Sequence, residues 1–212
     1  SGIGKAVAEK FASKGWKVAI SARRKELLED IAKHENISSF PLDITDRSQI
    51  DDVFNRIIKD FGNLDLCVFS SGTYDPKNEQ SINPEKIKNV LRVNFIGVVE
   101  CVNAVENYFK NKKSGHISIV SSIAGYRGLP NSSGYGPSKA ALTNFCESIY
   151  FDFKKYGVRI SIISPGFIKT PLTDKNVFPM PFLKSADYAA DKIYNGLVNT
   201  SFFEIHFPKG LT

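Results

Sequence analysis

Ser121-Ser122-Ile123-Ala124-Gly125-Tyr126-Arg127-Gly128-Leu129-Pro130-Asn131-Ser132-Ser133-Gly134-Tyr135-Gly136-Pro137-Ser138-Lys139 is the stretch that decides the reading of this chain. An apolar strand, His116 to Val120, runs into its serine pair. A glycine-rich loop follows, then a helix expected from Tyr135 to Tyr156 and ended by Gly157. Tyr135 and Lys139 are four apart, so they share one face of that helix. Ser122 stands at the strand's carboxyl end, thirteen positions before Tyr135. Packing the helix beside the strand brings a hydroxyl, a phenol and an ammonium into one cleft.

That trio has a definite chemistry. A free tyrosine titrates near ~10, too high for a base at neutral pH. A nearby ammonium favours the phenolate and lowers that value by about 1–3 pH units. The phenol then gives or takes a proton at a carbonyl or alcohol oxygen. Ser122 can hydrogen-bond the same oxygen and hold it. None of these groups moves a hydride, so a redox reaction needs a cofactor.

Upstream, the chain opens Ser1-Gly2-Ile3-Gly4 and enters a helical pattern from Lys5 to Lys14, closed by Gly15. Gly2 and Gly4 let backbone approach a phosphate, and a helix N-terminus favours its charge. Lys17 to Ala22 reads as a strand, followed by Arg23-Arg24-Lys25 and a helix to about Lys33. Ligands of open α/β sheets bind at the strands' carboxyl edge. An acid there suits a ribose 2′-hydroxyl; the bases found here suit a 2′-phosphate. Ser38 to Leu42 is the next strand and ends in Asp43-Ile44-Thr45. Ser48 to Phe61 is an amphipathic helix stopped by Gly62, and Leu66 to Phe69 a strand entering Ser70-Ser71-Gly72-Thr73.

Asn83-Pro84-Glu85 starts a helix that is expected to run to about Lys110. It contains Asn94 between Val93 and Phe95, where an asparagine is more often exposed or satisfied locally than catalytic. Beyond the central stretch, Arg159 to Ile163 alternates into a strand leading to Ser164-Pro165-Gly166. The loop Phe167 to Lys184 has three prolines and the apolar residues Phe178, Met180, Phe182 and Leu183; it is long for a connection, as lids and binding loops often are. Ser185 caps a helix to about Val198, and Phe202 to Phe207 is a last strand.

Regular alternation of helix and strand means an α/β fold, a parallel sheet covered by helices on both faces. Nothing divides the 212 residues into more than one domain. The net charge of +6 suits an anionic ligand. A nucleic-acid partner is disfavoured, because no basic and aromatic cluster accompanies that charge; Lys110 to Lys113 merely sits at a helix end. No apolar run approaches the ~20 residues of a membrane span. Cys67, Cys101 and Cys146 lack metal-ligand spacing, and His34, His116 and His206 are scattered, so no metal site is expected.

Together these residues resemble the short-chain dehydrogenase/reductase family, in its compact single-domain branch, over nearly the whole chain. The family's serine, Tyr-x-x-x-Lys and upstream asparagine match Ser122, Tyr135, Lys139 and Asn94, the last within Val93-Asn94-Phe95-Ile96-Gly97. Its Pro-Gly and nearby threonine match Pro165-Gly166 and Thr170. Its opening Thr-Gly-x-x-x-Gly-x-Gly is matched at its end only, by Gly2 and Gly4.

The resemblance implies a Rossmann-like doubly wound sheet that binds NAD(H) or NADP(H). It makes Tyr135 the general acid/base, Ser122 the group that positions substrate, and Lys139 the group that lowers the tyrosine pKa and holds the nicotinamide ribose. It gives Asn94 a part in a proton relay through water. It places the Ile3 backbone on the pyrophosphate and Arg23 with Arg24 on a 2′-phosphate, so that NADP(H) is preferred over NAD(H). Asp43 then faces the adenine with Ile44 beside it. Ser71 and Gly72 lie against the adenosine ribose. Tyr135, Lys139, Pro165, Gly166, Ile168 and Thr170 also belong to the cofactor set, the last two at the nicotinamide end. The implied activity is interconversion of a carbonyl and a secondary alcohol, and the apolar lid suits a substrate with a hydrophobic part. A homo-dimer or homo-tetramer built on the helices of Asn94 and Tyr135 is implied as well. A cytoplasmic location is expected from free cysteines and the lack of a visible targeting signal. The rival expectation is an NADP(H)-binding sensor without turnover.

Two departures accompany the resemblance. Phe69-Ser70-Ser71-Gly72 stands where the family has Asn-Asn-Ala-Gly, which keeps the glycine but loses the amides that tie neighbouring strands. The family's first strand would precede Ser1. The chain is therefore expected to be a truncated version of a longer protein, or to close its sheet over the gap, or to borrow a strand. Direct pairing of the strands at Lys17–Ala22 and Leu66–Phe69 would mark the closed sheet.

Overall fold

The computed structural model describes residues 1–210. Helix and strand alternate as the sequence requires: α1 (Gly2–Ser13), β1 (Val18–Ile20), α2 (Lys25–Ile31), β2 (Ile37–Ser39), α3 (Arg47–Phe61) and β3 (Leu66–Phe69). The second half has α4 (Pro84–Leu91), α5 (Gly97–Lys112), β4 (Gly115–Val120), α6 (Tyr135–Lys154), β5 (Val158–Pro165), α7 (Ala186–Asn199) and β6 (Glu204–Phe207). The local signals act as expected. Asn83 accepts from the Lys86 amide with Pro84 at the first helical position, and Ser185 accepts from the Tyr188 amide.

One expected helix is two. The run from Asn83 to Lys110 is interrupted by a π-helical turn, Arg92–Ile96, between α4 and α5. Such turns insert an extra residue and re-aim the side chains around them. Gly97 follows the turn. A Cβ there would stand 2.7 Å from the Ile44 carbonyl oxygen, so only glycine lets α5 approach the β2–α3 loop.

Every strand pairing is parallel. The order is β3-β4-β5-β6 in one sheet, with β1-β2 separate. β1 and β3 are not hydrogen-bonded to each other, so the alternative in which the sheet closes over the gap is overturned. The small sheet joins the rest through packed side chains. Phe40 and Leu42 beyond β2, with Ile50 and Val53 of α3, share a core with Val98, Val102 and Val105 of α5 and with Ile117 and Ile119 of β4.

Alternation along the strands separates two cores. Ile117, Ile119, Ile160 and Ile162 face α3, α5 and α6. Val120 and Ile163 face α1 and α7, against Phe11, Ile193 and Leu197. Both faces of the sheet are thus covered, as a parallel sheet needs. A polar stripe crosses the second face. His116 Nε2 pairs with Ser161 Oγ at 2.8 Å, and Ser161 donates to Ser118 at 3.0 Å.

Candidate active site

The predicted residues come from separate elements and meet at the carboxyl ends of the strands. Ser122 follows β4 in extended backbone, and its hydroxyl accepts from the Ala124 amide at 3.1 Å, which fixes its direction. Tyr135 opens α6, and Lys139 lies one turn on. The phenol interacts with the Ser122 hydroxyl. Lys139 is buried, with its Nζ 5.7 Å from the Tyr135 ring centre and donating to the Val120 carbonyl at 2.8 Å. Strand end, hydroxyl, phenol and ammonium therefore form one cluster.

The electrostatics differ from the expected lowering of the tyrosine. Burial pushes the Tyr135 phenol up to about 12; Ser122 pulls it down, while Tyr74 and Glu79 push it higher. Lys139 spends its Nζ on a backbone carbonyl, and burial brings its own pKa down to about 8. At neutral pH both groups hold their protons.

Asn94 corrects another expectation. It is neither exposed nor satisfied within its own helix: it is fully buried in the π-helical turn and bonded across the fold. Its Oδ1 accepts from the Thr73 amide at 2.7 Å. Its Nδ2 donates to the Thr73 carbonyl and to Ser138 Oγ, each at 3.0 Å. Asn94 thus ties the loop after β3 to α6. A Cβ on Gly72 would lie 3.7 Å from Lys139 Nζ and 3.8 Å from Asn94 Oδ1, so this exposed glycine borders the same cluster.

The predicted cofactor residues line the same edge. Gly2 has a left-handed φ of 60°, and a Cβ there would stand 3.3 Å from the Thr170 methyl. A Cβ on Gly4 would meet Ser70 Oγ at 3.4 Å. The start of α1, with half-buried Ile3, is thereby set between the loops after β3 and β5. Arg24 donates to Ser1 Oγ at 2.9 Å, placing a guanidinium at that helix start. Asp43 Oδ1 accepts from the Thr45 amide and hydroxyl, and those bonds with nearby Arg23 hold its carboxyl below the usual range. Ile44 packs on Gly97, and Ser71 is exposed at the end of β3. Pro165 ends β5, and the Gly166 amide bonds Phe207 at 2.8 Å. Ile168 is buried and bridges to Lys184. A glycine-flanked helix start with an arginine beside it fits an anionic dinucleotide.

The loop Phe167 to Lys184 leaves Val177 and Phe182 exposed and sets Phe167 edge-on to Phe178. Lys175 donates to the Tyr74 carbonyl, joining the loop to the cluster. Sequence reasoning missed Tyr74, Glu79 and Ser132. Tyr74 packs on Tyr135 with ring centres 4.8 Å apart. The Glu79 carboxylate accepts from the Gly134 and Tyr135 amides. Ser132 Oγ accepts from the Gly136 amide. No motif names Glu79; it stands 56 residues before Tyr135, and only the folded loop brings it there.

Comparison with known proteins agrees with this architecture. Residues 1–178 match the short chain dehydrogenase family. An uncharacterized oxidoreductase of Myxococcus xanthus is 33% identical, the alignment covering 98% of this chain and 84% of that protein. The 3-oxoacyl-[acyl-carrier-protein] reductase FabG of Thermotoga maritima is 30% identical over 82% of this chain and 73% of its own. Among solved structures, ElxO with NADP bound superposes with a TM-score of 0.84 at 29% identity, over 97% of this chain and 91% of that one. Among the described residues no helix is long and apolar enough to cross a membrane, and no group of three or more His, Cys, Asp or Glu side chains could hold a metal ion. Motif order, fold and family match converge: the chain belongs to the short-chain dehydrogenase/reductase family and is an oxidoreductase of that type.

Proposed function

We propose that this protein interconverts a carbonyl and a secondary alcohol, using NADP(H) in preference to NAD(H), with Tyr135 as general acid/base. The convergence of Ser122, Tyr135 and Lys139 at the end of β4 carries this reading. When bound, the dinucleotide supplies or accepts the hydride. The glycines of Gly2-Ile3-Gly4 and the exposed Gly72 leave room for it, with Ser71, Asp43 and Ile44 along the adenosine side and Pro165, Gly166, Ile168 and Thr170 toward the nicotinamide. Arg23 and Arg24 supply the positive charge that a 2′-phosphate needs.

Ser122 hydrogen-bonds the substrate oxygen. Tyr135 is held as a neutral phenol, the state that donates a proton to a carbonyl oxygen during reduction. Lys139, brought down to about 8, carries its charge at neutral pH and opposes any further proton on the site. Asn94 holds Thr73 and Ser138 in place around the phenol and supports a water relay. The exposed Val177 and Phe182 of the lid suit a substrate with an apolar part.

A groove between α5 and α6, lined by Val99, Val102, Phe145, Ile149 and Phe153, supports a homo-dimer or homo-tetramer through these helices. Three buried reduced thiols suit a cytoplasmic location.

The test is a fluorescence titration of the chain with NADPH and NADH, followed by a panel of ketones with apolar substituents. Saturable binding that favours NADPH, with its oxidation on at least one ketone, is expected. Binding without turnover across the panel would replace the enzyme reading with that of a cofactor sensor.

A further inference from the structure

We propose that Glu79 is a positioning residue for Tyr135: its carboxylate anchors the first turn of α6 and sets the charge against which the phenol works. This rests on the reading of Tyr135 as the acid/base. The first amides of a helix lack partners within it. The residue before α6 is Gly134, which has no side chain to cap them. Glu79 fills that role from a distant loop. Its Oε2 accepts from the Gly134 amide at 2.8 Å and from the Tyr135 amide at 3.0 Å. Ser132 takes the Gly136 amide and Pro137 has none, so the first turn is complete.

The supporting loop is itself fixed. Asn94 pins Thr73, Tyr74 donates to the Asn131 carbonyl at 2.9 Å, and the Glu79 amide bonds Pro76. The loop from Gly72 to Glu79 therefore grips the start of α6 at two points, and Glu79 is the charged one. Glu79 is 5% exposed, and its Oε1 has no hydrogen-bond partner among the described residues. A buried carboxylate with a spare oxygen projects its charge onto its neighbours. Both Tyr74 and Tyr135 feel it, each pushed toward the neutral phenol. The charged and titratable groups set against Tyr135 are Lys139 on α6 and Tyr74 and Glu79 on the loop; Asp75 and Lys175 act on Tyr74 behind it. The neutral Ser122 meets the phenol from the end of β4.

Glu79→Gln and Glu79→Ala separate the two effects. The glutamine keeps an acceptor for the amides and removes the charge; the alanine removes both. Tyrosinate absorbance is followed against pH in each variant, and the same protein carrying Tyr135→Phe is subtracted. The Tyr135 ionisation should move to lower pH in Glu79→Gln, because the charge that pushes it up is gone. With NADPH and a reducible ketone, Glu79→Ala should lose about 10-fold to 100-fold in kcat with little change in KM, and Glu79→Gln should regain most of it. An ionisation unmoved in Glu79→Gln, or a kcat unchanged in Glu79→Ala, overturns the proposal. If Glu79→Ala does not fold, or if the parent reduces no ketone, the Glu79→Gln titration decides alone. Failure of the enzyme reading is thereby distinct from failure of the Glu79 assignment.

Discussion

Asn94 and Thr73 exchange a reciprocal pair of hydrogen bonds, amide group to peptide group, across 21 residues of sequence. Asn94→Leu keeps the volume near constant but leaves the Thr73 N–H and C=O without their partner, each costing about 1–3 kcal/mol where water is excluded. The expected result is a loss of roughly 2–6 kcal/mol in denaturant unfolding, together with reduced turnover as Gly72 and Ser138 lose their brace. A melting curve like that of the parent would show the bond pair to be dispensable.

Tyr135→Phe removes only the phenolic oxygen and leaves the ring against Tyr74. We expect kcat/KM to fall by about 10²–10⁴, with NADPH affinity retained. An unchanged kcat/KM would remove Tyr135 from the chemistry.

Charge at the end of β1 sets cofactor choice in the proposed reading. Replacing Arg23 and Arg24 by serine together should weaken NADPH binding by roughly 10-fold to 100-fold, the range of one or two charge-assisted hydrogen bonds. NADH binding should change far less. Equal losses for the two dinucleotides would point to a general helix-start effect instead.

Burial pushes His116 down to about 4 from its ordinary 6.5, so the folded chain holds the ring neutral against Ser161. Between these values the unfolded chain binds a proton that the folded chain refuses. Stability from this site is full above pH 6.5 and is lost as pH falls toward 4. The loss amounts to about 3 kcal/mol at the acid end. In melts at a series of pH values, the stability of the parent relative to His116→Gln, which does not titrate, should fall by about 3 kcal/mol as pH drops from 6.5 to 4. Parallel curves across the range would contradict a buried neutral ring.

Gly97→Ala sets a methyl against the Ile44 carbonyl oxygen at 2.7 Å. Overpacking against backbone costs about 1–3 kcal/mol, measurable as a lower urea midpoint. Gly128→Ala, with open space around the new methyl, is the matched control and should shift the midpoint little.

Much of this was legible in the sequence because local signals agree with the fold. Asn83-Pro84 and Ser185 announce real helix starts, and the alternation of Ile117, Ile119, Ile160 and Ile162 marks one face of the sheet. Ser122, Tyr135 and Lys139 could be placed together because the apolar strand before Ser122 and the four-residue spacing of Tyr135 and Lys139 are both local. The π-helical turn at Asn94 was not legible. Apolar residues on both sides continue a helical pattern, and the extra residue is favoured only by bonds to Thr73 and Ser138, which are remote in sequence. Glu79 was hidden for the same reason: its partners are backbone amides, which leave no trace in side-chain spacing. The charge balance at Tyr135 also escaped, since a motif records that a lysine is near but not that its ammonium turns to the Val120 carbonyl.

In the proposed reading the dinucleotide's holders come from distant parts of the chain: Arg23, Arg24 and Asp43 from the loops after β1 and β2, and Gly72, Ser122 and Thr170 from the loops after β3, β4 and β5. A ligand gripped by both sets binds the folded chain and not the unfolded one, so part of its binding free energy reappears as resistance to unfolding.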